Sequence, residues 1–252
     1  MFNFFNPIKV SRIEEGSHGD HWGAYYGFKA FNEETLLTEM NDLIDKKEYE
    51  SIRSKFAKFS KFDGKLGMYI LTTFPGLKMV TGYPIFKTER AIPFETHKIS
   101  EWNYDELIEA YIAGKGRDIF GLKFFATDYL ENKEIYKSKQ KLNIAITGFA
   151  YVLKHTQILP QNAAPDFVGY VPDIKLANDS AIDFIGTVLE AEYYNNNNTE
   201  GYILTCKLIN HPEIEDCFNL EMFVNKNNMR MDEIKKNDRI SGCCWLQGKL
   251  AS

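Results

Sequence analysis

Apolar residues recur at helical spacing over Leu36, Met40, Leu43 and Ile44, behind an Asn32 suited to cap the first turn. The phase then slips. Tyr49, Ile52, Phe56 and Phe59 form a second stripe, so the pattern predicts two short helices, or one bent helix, across 33–60. Asp63-Gly64 is a turn signal, and the β-branched and aromatic runs Leu66–Phe74 and Leu77–Phe86, parted by Pro75-Gly76, predict a hairpin. A third strand is expected over Ala91–Phe94. Asn103 and Glu106 have the capping-box spacing ahead of Leu107, Ile108, Tyr111 and Ile112, which predicts a helix closed by Gly114. Ile119–Ala126 and Leu142–Leu153 read as strands, separated by a short helix that Thr127 or Asp128 would cap and that runs through Tyr136. Residues 1–31 interleave Gly16, Gly19, Gly23 and Gly27 with Trp22, Tyr25, Tyr26, Phe28 and Phe31, alternate weakly, and read as short strands and loops.

The character changes over 156–180, which holds Pro160, Pro165 and Pro172 with Gln161, Asn162, Asn178 and Asp179. Such a stretch marks a domain boundary. The expected organisation is an α+β domain over 1–156, a Pro-rich linker over 157–178 and a β domain over 179–252. Within the last part, Ile182–Tyr194, Tyr202–Ile209, Phe218–Val224 and Ile240–Leu246 read as strands, with one helical turn over Met231–Lys236. Gly186, inside the longest strand, permits a bend through which one strand joins two sheets.

This order resembles the oligonucleotide/oligosaccharide-binding barrels. The likeness is carried by Ile185-Gly186-Thr187-Val188 in the coiled first strand, and by Asn237-Asp238-Arg239-Ile240-Ser241-Gly242 leading into Cys244-Trp245-Leu246-Gln247-Gly248. Four strands are visible where such a barrel needs five. The fifth would come from Leu142–Leu153 or Phe167–Val171; without one, the sheet is open. The fold class expected is therefore α+β and β-rich, with a small antiparallel β-barrel-like domain at the C-terminal end. The resemblance implies a binding face on the second and third strands, where Tyr202, Phe218 and Phe223 are the available rings. A ring stacked on a base contributes about 1–3 kcal/mol. Lys226, Arg230 and Arg239, with Lys235 and Lys236, are the cations that could line a groove beside them.

Charge restricts the ligand. The chain has a formal net charge of −5, which disfavours a general nucleic-acid binder, since neutralising the phosphate backbone dominates that affinity. Nine acids stand against Lys207 alone over 178–224, whereas six bases stand against three acids over 225–252. The remaining composition, 44% hydrophobic and 26% charged, is that of an ordinary folded chain. No stretch approaches the roughly 18 apolar residues of a spanning helix. Cys206, Cys217, Cys243 and Cys244 read as reduced, buried thiols, so a cytoplasmic location without membrane contact is expected. The abundance of Asn, Lys, Ile, Phe and Tyr fits the coding bias of an AT-rich bacterium.

Reactive constellations are sparse. His18, Asp20 and His21 beside Trp22 are metal-ligand types, but His-x-Asp-His matches no defended motif and lacks a third strong ligand nearby. With a loop centred on Glu213, Cys206 falls opposite Leu220, too far from Cys217 to share a metal with it and His211. Gly114-Lys115-Gly116-Arg117 lacks the Gly-Lys-Ser/Thr that opens a helix in a phosphate loop, and no Gly-x-Ser-x-Gly elbow is present. No metal or cofactor is expected. The reading is a non-enzymatic binding protein whose barrel meets a protein or an extended-chain ligand. Alternatives are an enzyme with an interdomain site near His18, Asp20, His21 and Asp128, and an acidic immunity-type protein that neutralises a basic nuclease toxin.

Overall fold

The computed structural model describes residues 7–14, 16–103, 106, 108–156, 164, 166–172, 180–196 and 198–251. Most of the expected 157–178 linker, including Pro160, Gln161, Asn162 and Pro165, lies outside them, as do Leu107, Asn178 and Asp179. In chain order the elements are β1 (Lys9–Ile13), α1 (Gly19–Tyr26), α2 (Glu33–Asp45), β2 (Glu50–Ile52), β3 (Phe56–Asp63), β4 (Leu66–Thr73), β5 (Met79–Phe86), β6 (Ala91–Trp102), β7 (Ala110–Gly116) and β8 (Phe120–Ala126). Then come α3 (Tyr129–Ser138), β9 (Lys141–His155), β10 (Gly169–Pro172), β11 (Ala181–Asn196), β12 (Thr199–His211), β13 (Ile214–Asn225), a 3-10 turn over Lys226–Asn228, and β14 (Arg239–Leu250). The α+β, β-rich class is as expected. Among the described residues no helix is long and apolar enough to cross a membrane.

Two sheets form: an antiparallel meander β2-β3-β4-β5, and a ten-stranded mixed sheet. Pairings within the large sheet close two rings of five strands. The first runs β6-β7-β8-β14-β9 and back to β6; the second runs β11-β12-β13-β9-β14 and back to β11. Each ring contains an antiparallel meander of three strands. Its third strand runs parallel to one shared strand (β8 to β14, β13 to β9), and its first runs antiparallel to the other (β6 to β9, β11 to β14). The shared strands β9 and β14 are themselves antiparallel neighbours. Closure is uneven: β8 meets β14 only at Phe125–Ala126 against Gln247–Gly248.

The strand expected over Leu142–Leu153 thus completes the C-terminal ring, and residues 179–252 do not close a ring by themselves. Gly186 sits where it was expected to matter. β11 pairs with β14 as far as Thr187 and with β12 from Thr187 onward. Cys206 faces Leu220, as the loop geometry predicted.

Strand alternation divides the core in two. Phe218, Leu220, Met222 and Val224 of β13 enter the ring interiors with Leu204, Phe124, Ile146 and Leu246. Phe223, Phe149, Trp245 and Phe125 leave the outer face of the same strands and pack against α1, α2 and the small sheet.

Four local expectations are corrected. The glycine-rich segment forms α1, because partners 200 residues away complete it. A helix leaves its last carbonyls unpaired; Asn225 Nδ2 donates to Tyr25 O at 2.9 Å, and Asn228 Nδ2 to Gly23 O at 3.1 Å and Ala24 O at 3.3 Å. The stripe Tyr49–Phe59 is the hairpin β2–β3, turned through Arg53 and Ser54 at φ 52° and 59°, both left-handed. Tyr111 and Ile112 are not helical as expected: β7 begins at Ala110, paired on both sides by β6 and β8. Gly114 is there for close approach rather than as a helix cap, since a Cβ would stand 1.9 Å from Glu95 O. No helical turn forms over Met231–Lys236; the turn falls at Lys226–Asn228, where Asn225 accepts from Asn227 N.

Candidate binding groove

The six residues expected to bind ligand do not share one surface. Phe218 points into the ring interior, 4.9 Å from Phe120, and is 1% exposed. Phe223 leaves the opposite face but is 0% exposed, sealed by Tyr25 and Phe149. On β12 and β13, the strands expected to carry the binding face, the outer side is occupied by the chain's own α1. Tyr202 is half-buried against Tyr193. Lys226 lies at that end of the sheet: it pairs with Glu200 at 2.7 Å, and Tyr193 donates to the same carboxylate. Arg230 is exposed just past the 3-10 turn, its amide bonded to Leu153 O at 2.7 Å. Arg239 lies opposite Thr187, at the bend of β11, and donates to Phe167 O.

A different set of cations does converge. An open groove of about 1000 Å³ runs between the small sheet and the seam of the two rings, with Lys65, Lys87, Arg90 and Lys249 around it and Glu221 at its floor. The tight β3–β4 turn, with Gly64 at φ 56°, brings Lys65 in. The connector from β5 to β6 supplies Lys87, Thr88 and Arg90, and the end of β14 supplies Lys249. The Glu221 carboxylate is 8% exposed and holds the walls together. It accepts from Lys65 Nζ at 2.6 Å and from Thr88 Oγ1, and Arg90 Nε stands 3.9 Å away. Arg90 also reaches Glu190 at 3.6 Å. Lys87 Nζ lies 3.2 Å from the centroid of the Phe62 ring, a cation–π contact that keeps its charge at the rim. Glu89 is the other acid on the lining, so cations outnumber carboxylates on a chain whose net charge is negative.

No protein-family model, no curated protein and no solved structure matches this chain.

The histidines noted in the sequence form a second, buried cluster. His18 Nδ1 faces His21 Nδ1 at 2.8 Å, and His18 Nε2 faces Glu109 Oε1 at 3.1 Å. Thr81 donates to that carboxylate oxygen at 2.7 Å. His21 stacks on Trp245 at 3.5 Å between centroids, and His18 on Trp102 at 5.1 Å. Asp20 is exposed. Asp128 belongs to another cluster, where it accepts from Tyr136, Asn132 and the Leu250 amide. The four residues of the interdomain catalytic alternative therefore do not converge. Among the described residues no group of three His, Cys, Asp or Glu side chains could hold a metal. Burial pushes the Cys206, Cys217 and Cys244 thiols up, away from reactive thiolates. Sequence reading missed the groove because its cations come from residues 65, 87, 90 and 249, with no run or period to mark them. Glu109 was missed because nothing local ties it to residue 18.

Proposed function

We propose that this protein is a non-enzymatic binding protein and that the groove over Glu221 takes an acidic extended segment of a partner protein. The observation that carries this reading is the convergence of Lys65, Lys87, Arg90 and Lys249 on one open groove of a chain whose net charge is negative. A few carboxylates on a partner match that number of cations. A nucleic acid presents one charge per phosphate along its whole length and calls for a longer track of cations than these four. The ring order supports the barrel part of the reading. The second ring holds five strands, β11, β12, β13, β9 and β14, the number such a barrel needs, and we read β11, β12 and β13 as its first three. Because α1 covers the outer face of that barrel, the groove at the seam takes over as the site.

Fluorescence anisotropy with a labelled short oligoglutamate peptide tests the proposal, with single-stranded oligothymidylate of similar length as comparator. The peptide is expected to bind, to weaken as salt rises, and to be lost in the Lys87→Glu/Lys249→Glu variant. Tighter binding of the oligothymidylate, or binding of neither probe, refutes it.

A further inference from the structure

The His18–His21 contact is compatible with a narrow range of protonation. A nitrogen–nitrogen hydrogen bond needs one protonated and one bare partner. When His18 Nε2–H donates to Glu109, the neutral pair is completed by His21 Nδ1–H donating to His18 Nδ1. One further proton can be held. His18 becomes an imidazolium against the Glu109 carboxylate and donates its own Nδ1–H to a His21 whose proton has moved to Nε2. A second imidazolium sets N–H against N–H across 2.8 Å and puts two like charges side by side. His18, His21 and Glu109 are 8%, 2% and 3% exposed, so water cannot separate those charges. Among the described residues, the titratable groups facing the pair include Glu109 ahead of β7, Tyr83 of β5 with Tyr69 of β4 stacked behind it, and Tyr151 of β9. Burial keeps the Tyr83 and Tyr69 phenols neutral. The conflict lies in the nitrogen–nitrogen contact itself and holds whatever else His21 touches.

His21 is on α1 and His18 is its N-cap residue. The helix lies over Phe149, Phe223 and Trp245 on the outer face of β9, β13 and β14. We propose that double protonation of the His18–His21 pair releases α1 from the sheet, so that this helix is a proton-operated cover over the aromatic outer face of the second ring. The docked state refuses a proton that the solvent-exposed imidazoles of the released state accept, so docking weakens as pH falls through the imidazole range. The docking equilibrium loses up to about tenfold per pH unit below the midpoint, equivalent to about 1.4 kcal/mol.

The three tryptophans of the chain, Trp22, Trp102 and Trp245, all border this region, so intrinsic fluorescence reports it. Between about pH 7.5 and about pH 5, either side of the imidazole range, the wild-type protein is expected to show a reversible red shift. Amide exchange, corrected for intrinsic rates, should accelerate over 19–26 while far-UV circular dichroism is retained. His21→Asn keeps a donor near the Nδ1 position without a titratable ring, and its helix should stay docked throughout. Unchanged α1 exchange in the wild type, exchange rising evenly over the whole chain, or an identical transition in His21→Asn overturns the proposal. The wild-type exchange decides even if the variant fails to fold.

Discussion

If the two rings share β9 and β14, damage to the interior of either ring must be felt by both. Leu122 of β8 belongs to the first ring alone and Leu204 of β12 to the second alone; they are 5% and 0% exposed. Leu→Ala at such sites removes three carbons and leaves a cavity, at about 2–5 kcal/mol each. For a chain of this length 1 kcal/mol moves the melting temperature by about 2–4 °C, so each variant should lose roughly 4–20 °C. Each should do so in one transition, seen alike by tryptophan emission and by far-UV circular dichroism. Together the substitutions cost about 4–10 kcal/mol, a large share of the whole stability of a typical protein at about 5–15 kcal/mol, and the double variant should melt well below either single one. Urea and thermal melts of the three variants make the test. A biphasic melt in which Leu204→Ala moves one phase and Leu122→Ala the other would refute the shared-wall argument. It would support instead a division of the chain at 157–178.

Three further expectations concern single side chains. Burial raises Glu101, but Lys137, Tyr129 and Lys133 outweigh it and hold the carboxyl below its usual range. Glu101 therefore stabilises the fold above the usual carboxylate pKa and less as pH falls through its own. Glu101→Gln should cost about 1–3 kcal/mol near neutrality, and the difference in urea midpoint should shrink as pH falls below the usual carboxylate range. Gly114→Ala drives a methyl into Glu95 O, whereas Gly121→Ala on the neighbouring strand meets open space; the first should lower the melting temperature by several degrees, at about 1–3 kcal/mol, and the second should leave it nearly unmoved. Asn228→Ala removes the carboxamide that bonds the Ala24 carbonyl and the Phe28 amide, and leaves the Gly23 carbonyl with the Gly27 amide alone. It should cost about 1–3 kcal/mol and speed amide exchange in α1 already at neutral pH.

What could be read from the sequence was whatever the local chain decides for itself. Asn32 does cap α2, accepting from the amides of Glu34 and Thr35, and the strands from Leu142 onward fall close to their expected places because their alternation is strong. Misreadings occur where distant partners decide. Nothing around Gly23 announces the carboxamide of Asn228 that completes its helix. Arg53 and Ser54 lack the usual turn chemistry yet adopt left-handed angles, because the hairpin they join buries Ile52 on one strand and Phe56, Ala57 and Phe59 on the other. Gly114 was read as a terminator when it marks a close crossing of strands. At the site, ring residues were visible but their sides were not: Phe218 and Phe223 lie an odd number apart and so leave β13 in opposite directions.

The shared wall also sets a timetable. β9 is complete by residue 155, yet its neighbour β14 spans 239–250, so neither ring can shut until nearly all of these residues have left the ribosome. At about 5–20 residues per second, β6 to β9 wait several seconds with an open seam. During that wait the nascent chain displays unpaired strand edges and aromatic faces, the surfaces chaperones recognise and aggregates exploit. A chain that lost β14 would leave both rings agape at once.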